Sequence, residues 1–344
     1  MRDTAEQFDI KIITLPYKHM KINNIGVFTS GGDSPGMNAA IRAVVRTSLY
    51  HKLKVTGIIC GYEGFINGDF KTMDHRSVAN IIQRGGTILK TARSTKFKTE
   101  EGMKTAFENI KKEGIDAIVA IGGDGTFRGA NAFNLKYNIP IIGIPGTIDN
   151  DMYGTDLTIG YDTAINTVVE AVDKIRDTAS SHNRLFFIEV MGRDAGFIAL
   201  RSGIAVGAED ILIPETKTHI DKLIDKLNNR RRDNKSSGII IVAEGDDAGG
   251  AFEVARKVKE KFNHYSTRVS ILGHIQRGGS PSCTDRVLAS RLGYAAVNAL
   301  IKGQTNIMLG VLNNKIASTP LSKAIKHTNE INKNLIEMAR IISL

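Results

Sequence analysis

Short apolar runs alternate with longer segments of helical periodicity along most of the chain. The runs are rich in valine and isoleucine, and most of them end in a glycine-rich turn. Near-continuous apolar character is typical of parallel strands that are buried on both faces. The predicted strands are Ile25–Thr29, Val55–Ile59, Ala117–Ile121, Pro140–Ile144, Leu185–Val190, Ile211–Ile213, Ile239–Ala243 and Val269–Leu272.

The segments between these strands have the residue spacing of amphipathic helices. An alternation of strands and helices predicts βαβ units, and hence an α/β fold in which helices cover mainly parallel sheets in three layers. The predicted helices are Met37–Tyr50, Ser77–Gln83, Glu101–Lys112, Ala164–Ser180, Ile220–Arg231 and Asp285–Ile301.

Length and composition restrict the class of protein. The 344 residues correspond to roughly two domains. A hydrophobic share of 42% and a charged share of 24% exclude a wholly disordered chain. No apolar run approaches the length of about 18 residues that a membrane helix needs, so no membrane partner is expected. Residues 1–19 lack the pattern of a secretory signal and are interpreted as an N-terminal extension.

The cysteine count and the charge balance bear on compartment and partners. Two cysteines are too few for a disulfide framework, which favours a reduced, cytoplasmic location. Lysine and arginine number 46 against 36 acidic residues, a net charge of +10 that attracts anions. The only dense basic run is Arg230–Arg232, and there is no tryptophan. This pattern favours small phosphorylated ligands over nucleic acid.

Two glycine-rich turns follow predicted strands and lead into helices, at residues 30–38 and 122–126. Ligands of open α/β sheets bind at the carboxyl ends of strands, where glycines and helix N-termini accommodate phosphate. Neither turn matches GxxxxGK[ST] or GxGxxG. Asp124 lies between glycines in the second turn. It can hold Mg²⁺ together with substrate phosphates, or it can cap the following helix.

A third strand exit carries two carboxylates and a hydroxyl. In an extended segment Thr147, Asp149 and Asp151 share one face, with Ile148 opposite. One carboxylate can then accept a proton from an attacking hydroxyl, although an Asx-turn or a helix cap also explains a single aspartate. With an ordinary pKa near ~3.9, the Asp149 carboxyl is expected to be ionised at neutral pH.

Cationic side chains follow the later strands. Arg193 comes after Leu185–Val190, and His274 and Arg277 come after Val269–Leu272, where guanidinium groups can hold phosphates. Arg184 and Arg268 instead lie at strand starts, opposite the expected ligand edge. A phosphate cradle, a metal-binding carboxylate, a basic carboxylate and arginines are the parts that phosphoryl transfer requires.

Together these segments resemble the ATP-dependent phosphofructokinases of bacterial type, from about residue 21 to about residue 300. The resemblance rests on five blocks: SGGDSPGMN, IGGDGT, PGTIDNDMYGTD, EVMGRDAG and LGHIQRGGSP. It implies transfer of the γ-phosphoryl group of ATP to the 1-hydroxyl of fructose 6-phosphate, with Mg²⁺ as cofactor.

The resemblance also implies roles for individual residues. The implied catalytic residues are Asp149 as base, Thr147, Asp151 and Arg193. The implied ATP-binding residues are Gly32, Arg93, Ser94, Gly123, Asp124, Gly125 and Thr126, with Asp124 at the metal. The implied sugar-phosphate-binding residues are Thr147, Ile148, Asp149, Arg184, Met191, Gly192, Arg193, Glu244, Arg268, His274, Ile275, Gln276 and Arg277. Family members have an aromatic residue at the position of Ser94.

Domain organisation, assembly and regulation follow from the same resemblance. It implies two Rossmann-like domains, a larger ATP-binding one (20–159 and 272–322) and a smaller sugar-phosphate one (160–271 and 323–344). It implies a homotetramer in which Arg184 and Arg268 reach a neighbouring subunit's site. The effector pattern is matched by Arg42, Arg46, Arg176, Gly207 and Glu209, whereas only Lys235 remains of an expected basic stretch.

The choice of phosphoryl donor is also read from this resemblance. Pyrophosphate-using relatives carry Asp and Lys where this chain has Gly125 and Gly146, so ATP is favoured. A pyrophosphate-dependent phosphofructokinase remains the near alternative. A kinase of the NAD or lipid class explains GGDGT alone, and a basic nucleotide sensor or nucleic-acid-binding protein leaves Asp124 and Asp149 without a role.

Overall fold

The structure is a computed structural model that describes residues 22–182, 184–232, 237–262 and 264–343, so the expected extension 1–19 lies outside it. Its strands are β1 (Asn24–Ser30), β2 (Lys54–Ile58), β3 (Phe70–Thr72), β4 (Ala117–Gly122), β5 (Ile141–Pro145), β6 (Arg184–Val190), β7 (Asp210–Leu212), β8 (Gly238–Ala243), β9 (Ser266–Ile271), β10 (Ile307–Leu312) and β11 (Lys315–Pro320). Its α-helices are α1 (Met37–Tyr50), α2 (Tyr62–Asn67), α3 (Glu100–Glu113), α4 (Asp124–Tyr137), α5 (Tyr161–Ser181), α6 (Phe197–Ala205), α7 (Ile220–Arg232), α8 (Ala251–Lys261), α9 (Cys283–Ile301), α10 (Leu321–Ala324) and α11 (Lys333–Ile342).

The strands form two sheets. The larger has the order β11-β10-β5-β4-β1-β2-β3, parallel from β10 to β2 and antiparallel at both edges. The smaller has the order β7-β8-β6-β9 and is parallel throughout. This confirms the predicted α/β class with mainly parallel sheets. Among the described helices, none combines the length and apolar character needed to cross a bilayer.

Helices cover both faces of each sheet, which explains the near-continuous apolar runs. Val27 of β1 packs into a cluster with α1 and α9, whereas the next residue, Phe28, packs into a cluster with α2 and α4. In the smaller sheet Phe186 and Phe187 likewise belong to clusters on opposite faces. Residues of the central strands therefore meet apolar side chains on both faces of their sheet, and the alternation typical of half-exposed strands is lost there.

All eight predicted strands are present, with ends displaced by up to three residues. Five of the six predicted helices are present as well, but the helix predicted at Ser77–Gln83 is wrong. There the Asp74 carboxylate accepts hydrogen bonds from the amide and hydroxyl of Ser77, and Asn80 has a left-handed backbone with φ of 53°. These local side-chain bonds favour turns over helix.

Candidate active site

Three neighbouring strands of the larger sheet end at the same level. Ser30 at the end of β1 pairs with Gly122 at the end of β4, and Gly122 pairs with Pro145 at the end of β5. The loops that follow these strands therefore leave the sheet side by side. They are the two glycine-rich turns and the carboxylate segment.

The two glycine-rich turns are joined by buried hydrogen bonds. Thr126, in the first turn of α4, donates from its hydroxyl to the carbonyl of Ser30 at 3.0 Å. The hydroxyl of Tyr62 donates to the carbonyl of Thr126. A Cβ added at Gly122 lies 2.5 Å from the Ser30 carbonyl oxygen, so only glycine allows the turns to approach this closely.

Asp124 is the first residue of α4, and Gly123 rather than Asp124 is its N-cap. The interpretation of Asp124 as a helix cap is therefore wrong. Its carboxylate is 43% exposed and accepts from Arg128 Nε one turn later at 2.7 Å. Gly125 beside it has open space around the position of a Cβ. Both residues face the outside of the loop, where a ligand can approach.

The carboxylate segment turns instead of running extended, because Asn150 has a left-handed backbone with φ of 55°. Ile148 is fully buried in the core, as its predicted position opposite the carboxylates requires. Thr147 Oγ1 accepts from the amide of Asp149 at 3.2 Å. Asn150 Oδ1 accepts from the amide of Thr158 at 2.8 Å. These bonds hold Asp149 and Asp151 at the mouth of the sheet.

Burial raises the pKa of both carboxyl groups. For Asp149 burial is the largest cause, and the charges of Arg193 and Arg277 oppose part of the rise. For Asp151 burial, followed by the charges of Asp149 and Asp124, raises the pKa to about 6. The expectation of an ordinary pKa at Asp149 is therefore wrong, because the carboxyl is only 4% exposed.

The loops that follow the strands of the smaller sheet also emerge side by side, and they carry a cationic side chain. Val190 at the end of β6 pairs with Ala243 at the end of β8, so the loop 191–196 and Glu244 emerge together. Glu244 Oε1 accepts from the amide of Arg193 at 2.7 Å. Arg193 has a φ of 53°, and this hydrogen bond holds the strained turn that exposes its side chain.

The two sets of loops meet. Arg193 Nε lies 3.8 Å from Asp149 Oδ2, and the Arg277 guanidinium donates to the carbonyl of Asp33 at 3.3 Å. A Cβ added at Gly32 lies 2.5 Å from Arg277 Nη1, which places this arginine against the first glycine-rich turn. Arg277, predicted on the sugar-phosphate side, thus also touches the predicted nucleotide side. Arg193 lies beside Asp149, and the charges of Asp124 and Arg193 both act on the carboxyl of Asp151, so these residues lie near one another at the ends of the two sheets.

Gln276 and Met191 support this arrangement from inside. Gln276 is fully buried, and its Oε1 accepts from the amide of Met191 at 3.2 Å. Its Nε2 donates to the carbonyl of Gly273 at 3.0 Å. The Gln276 side chain thus fastens the turn of Arg277 to the exit of β6, while His274 and Ile275 on the same turn are exposed.

Arg184 and Arg268 do not join this crevice within one chain. Arg184 begins β6, about 20 Å from the end of that strand at ~3.3 Å per residue. Arg268 pairs with Phe186 on the neighbouring strand and is exposed at the sheet edge.

Of the predicted ATP-binding residues, Arg93 is also exposed. Ser94 Oγ accepts a hydrogen bond from the amide of Phe97, so Ser94 closes a turn.

The predicted effector residues lie in two places. Arg176 donates to the carbonyl of Val206 next to Gly207, and buried Glu209 accepts from the amide of Ile239 at 2.5 Å. Arg42 and Arg46 lie one turn apart on α1, where burial and the charge of Arg46 lower the pKa of Arg42. Lys235 lies outside the described residues.

The donor set fits Mg²⁺ shared with a nucleotide. Asp124 and Asp151 are two carboxylates close enough to interact electrostatically, and Mg²⁺ is commonly bound by one or two carboxylates plus substrate phosphates. Within the described residues no group of three or more His, Cys, Asp or Glu side chains forms a metal cage. The phosphates of a nucleotide would therefore have to complete the coordination.

Sequence reasoning missed two residues that shape this site. Arg128 pairs with Asp124 at the i,i+4 spacing of a helix, a signal that was present in the sequence. Asn150 gives the carboxylate segment its turn, and asparagine between two aspartates is a residue that tolerates a left-handed backbone.

Comparison with known proteins places the chain in a family. The family model described as Phosphofructokinase matches residues 24–300. The chain is 54% identical over 320 residues to "ATP-dependent 6-phosphofructokinase 2" of Bacteroides thetaiotaomicron, covering 93% of this chain and 98% of that protein. It is 52% identical over 323 residues to "ATP-dependent 6-phosphofructokinase 1" of Thermus thermophilus, covering 94% and 100%.

Solved structures have the same fold. Phosphofructokinase from Saccharomyces cerevisiae matches with a TM-score of 0.85 and 39% identity, over 88% of this chain, which spans 45% of the yeast chain. A pyrophosphate-dependent phosphofructokinase from Marinobacter aquaeolei matches with a TM-score of 0.80 at 22% identity, over 91% of this chain and 86% of that one. The second likeness concerns the fold alone. The family match and these relatives, which agree with the geometry of the crevice, show that the chain belongs to the phosphofructokinase family.

Proposed function

We propose that the chain transfers the γ-phosphoryl group of ATP to the 1-hydroxyl of D-fructose 6-phosphate, giving fructose 1,6-bisphosphate and ADP. The names of relatives that are 52–54% identical over nearly the whole chain support this activity. The observation that carries it is the placement of Arg193 3.8 Å from buried Asp149, between the glycine-rich turns and the cationic loops.

Asp149 is the proton acceptor in this proposal. Its Oδ1 is buried and has no hydrogen-bond partner among the described residues. The 1-hydroxyl oxygen attacks the γ-phosphorus, its proton passes to Asp149, and the bond from phosphorus to the β–γ bridging oxygen breaks with its electrons leaving on ADP. The charges of Arg193 and Arg277 oppose part of the pKa rise that burial causes at Asp149, and they therefore favour its ionised form.

Arg193 and Arg277 have the charge that the transferred group needs. Both influence the pKa of Asp149 and so lie near the reacting atoms. Guanidinium groups can form two parallel bonds to phosphoryl oxygens and stabilise charge that develops there. Asp124 and Asp151 would hold Mg²⁺, which neutralises charge on the β- and γ-phosphates when bound.

ATP is the proposed donor because the outer side of Gly125 is open. A Cβ at Gly125 has no atom within 4 Å, which leaves room for the α-phosphate and nucleoside. Gly146 has no such open space, because a Cβ there would lie 3.1 Å from Met37 and 3.2 Å from Ile121. Close packing, rather than space for phosphate, explains that glycine.

The proposal includes the assembly, the location and the regulation of the enzyme. Arg184 and Arg268 lie at the far end of β6 and β9 from the crevice, so they can serve sugar-phosphate binding only across a subunit interface. This supports the proposed homotetramer with shared sites. A cytoplasmic location fits a pathway of phosphorylated metabolites. Regulation at Arg176, Gly207 and Glu209 stays a prediction, tested by the activity response to nucleotide diphosphates.

A coupled assay of fructose 1,6-bisphosphate formation tests the activity. We expect turnover with ATP and Mg²⁺, and loss of turnover when EDTA is added. Pyrophosphate is the matched donor control and is expected to give little product. No product with ATP would refute the proposal. A higher kcat/KM with pyrophosphate than with ATP would show that pyrophosphate is the preferred donor.

A further inference from the structure

A cleft outside the catalytic crevice lies between α7, the loop 213–219 and the C-terminal helix α11. Its volume is about 360 Å³, within the range of about 300–1,000 Å³ that is typical of small-molecule sites. Its lining shares no residue with the catalytic crevice or with the predicted effector residues. The known and predicted functions of the chain leave this cleft without a ligand.

Basic side chains line the cleft from two walls. Lys217 and His219 belong to the loop, Lys222 and Lys226 lie one turn apart on α7, and Arg340 projects from α11. The lining includes a single carboxylate, Asp210, and Lys226 Nζ lies 3.6 Å from it. Among the described residues Lys217, Lys222 and Arg340 have no ion-pair partner. The cleft therefore carries an excess of positive charge that an anion would neutralise.

The interior of the cleft is apolar. Leu200, Ile213 and Leu223 form its floor and are at most 3% exposed, whereas half-buried Ile211 and Ile336 present apolar surface to it. Sites of this composition bind ligands that combine an apolar body with a charged group, because the walls desolvate the body while the cations fix the charge. A purely inorganic ion would leave the apolar part of the cleft unfilled.

The neighbouring groove on the other side of Arg340 has a different character. Three carboxylates, Glu215, Glu330 and Glu337, line it against two cations, Lys333 and Arg340, so it carries no positive excess. The positive excess is thus confined to the cleft between α7 and α11. Lys226 also donates to Ser343 Oγ at 2.8 Å, which holds the two walls together around it.

We propose that this cleft binds a small phosphorylated ligand with an apolar body, at a site separate from the catalytic crevice. A phosphate dianion can contact Lys222 on one wall and Arg340 on the other, which a monovalent carboxylate matches less well. The apolar part of the ligand packs on Ile211 and Ile336. The site is independent of the proposed reaction and exists whether or not that proposal holds.

Phenyl phosphate is a suitable probe, since it joins a phosphate to an apolar ring. Isothermal titration calorimetry of the full chain, with the catalytic crevice saturated by fructose 6-phosphate and ADP, is expected to show one site with a Kd of about 1 mM. The double variant Lys222→Gln with Arg340→Gln is expected to weaken binding about tenfold or more, a change of at least ~1.4 kcal/mol.

Two controls distinguish a built site from general charge attraction. Lys302→Gln removes an exposed lysine at the end of α9 and should leave the Kd unchanged. Lys222→Arg keeps the charge and should retain binding, which also shows that α7 tolerates substitution. Benzyl alcohol, which lacks the phosphate, should bind much more weakly. Absence of binding up to about 10 mM, or an equal loss in Lys302→Gln and the double variant, would overturn the proposal.

Discussion

Asp149 and Asp151 are only two positions apart, yet they meet different surroundings. Asp149 is 4% exposed beside Arg193, whose charge favours its ionised form. Asp151 is less buried but faces the like charges of Asp149 and Asp124. A proton acceptor must be ionised before transfer, whereas a metal-binding carboxylate is stabilised only when the cation arrives.

The first prediction concerns Asp149. Asp149→Ser should lower kcat by about 10²–10⁴-fold, because the hydroxyl proton then has no positioned acceptor. The KM for fructose 6-phosphate should change little, since Arg193 and Arg277 remain. Steady-state kinetics measure both constants, and Asp173→Ser, an exposed aspartate on α5, is the control. Near-normal turnover would contradict the role of Asp149.

The second prediction concerns Asp151. Its folded-state pKa of about 6 is above the unfolded value of 3.8, so the fold loses stability as the pH rises between these values. Asp151→Asn should remove this loss and stabilise the protein well above pH 6 by roughly 3 kcal/mol. The gain should fall to about 0.5 kcal/mol at pH 4, where the carboxyl is protonated in the folded state but still partly ionised in the unfolded state, and it should vanish only well below pH 3.8.

Urea unfolding in EDTA at pH 4, 6 and 8 measures this difference without bound metal. The same variant should lose activity at saturating Mg²⁺, because one metal-binding carboxylate is gone. A stability gain that does not depend on pH would show that the charge of Asp151 is not its cause.

At the scale of elements, the loops after strands are held by bonds to neighbouring elements. Glu215 in the loop before α7 accepts from the amide of Gly196 at 2.8 Å, at the start of α6 and three residues after Arg193. Glu244 after β8 accepts from the amide of Arg193 itself. Each carboxylate thus restrains a turn that presents a cation.

The third prediction follows from Glu215. Glu215→Ala should raise the KM for fructose 6-phosphate by about 3-fold with a smaller effect on kcat, because losing this part-buried hydrogen bond removes about 1 kcal/mol of restraint on the turn. Glu337→Ala on α11 is the control, since it removes an exposed glutamate without such a bond. An unchanged KM would show that the loop keeps its shape without Glu215.

At the scale of the whole molecule, the carboxyl ends of two sheets face each other across the crevice, as the contact of Arg193 with Asp149 shows. The amino end of the smaller sheet carries Arg184 and Arg268 to the opposite side. The crevice and the pair Arg184 and Arg268 therefore lie at opposite ends of the smaller sheet.

The fourth prediction tests sharing between subunits. Arg268→Ala should mainly raise the KM for fructose 6-phosphate, whereas Lys259→Ala, an exposed lysine on α8, should not. Co-expression of Arg268→Ala and Asp149→Ser subunits should restore part of the activity, because some mixed sites then hold both wild-type residues. Absence of recovery would place Arg268 outside a shared site.

The local hydrophobic pattern of the sequence predicted some strands and helices and missed others. Most strands buried on both faces were predictable because continuous apolar character survives in any surrounding, but β10, which is also apolar and largely buried, was not predicted. The edge strand β11, with the exposure of its Lys315–Pro320 residues, and the short β3 gave no such signal. The predicted helix at Ser77–Gln83 failed because Asp74 and Ser77 bond locally, which periodicity does not register.

The sequence by itself determined the α/β class, the glycine-rich turns and the carboxylates that follow the strands, because these depend on residue type and spacing along the chain. Only the tertiary structure decided that Arg193 stands beside Asp149 and that Arg277 lies against Gly32. It also decided how far the Asp149 and Asp151 pKa values rise, since burial and opposing charge come from segments distant in the chain.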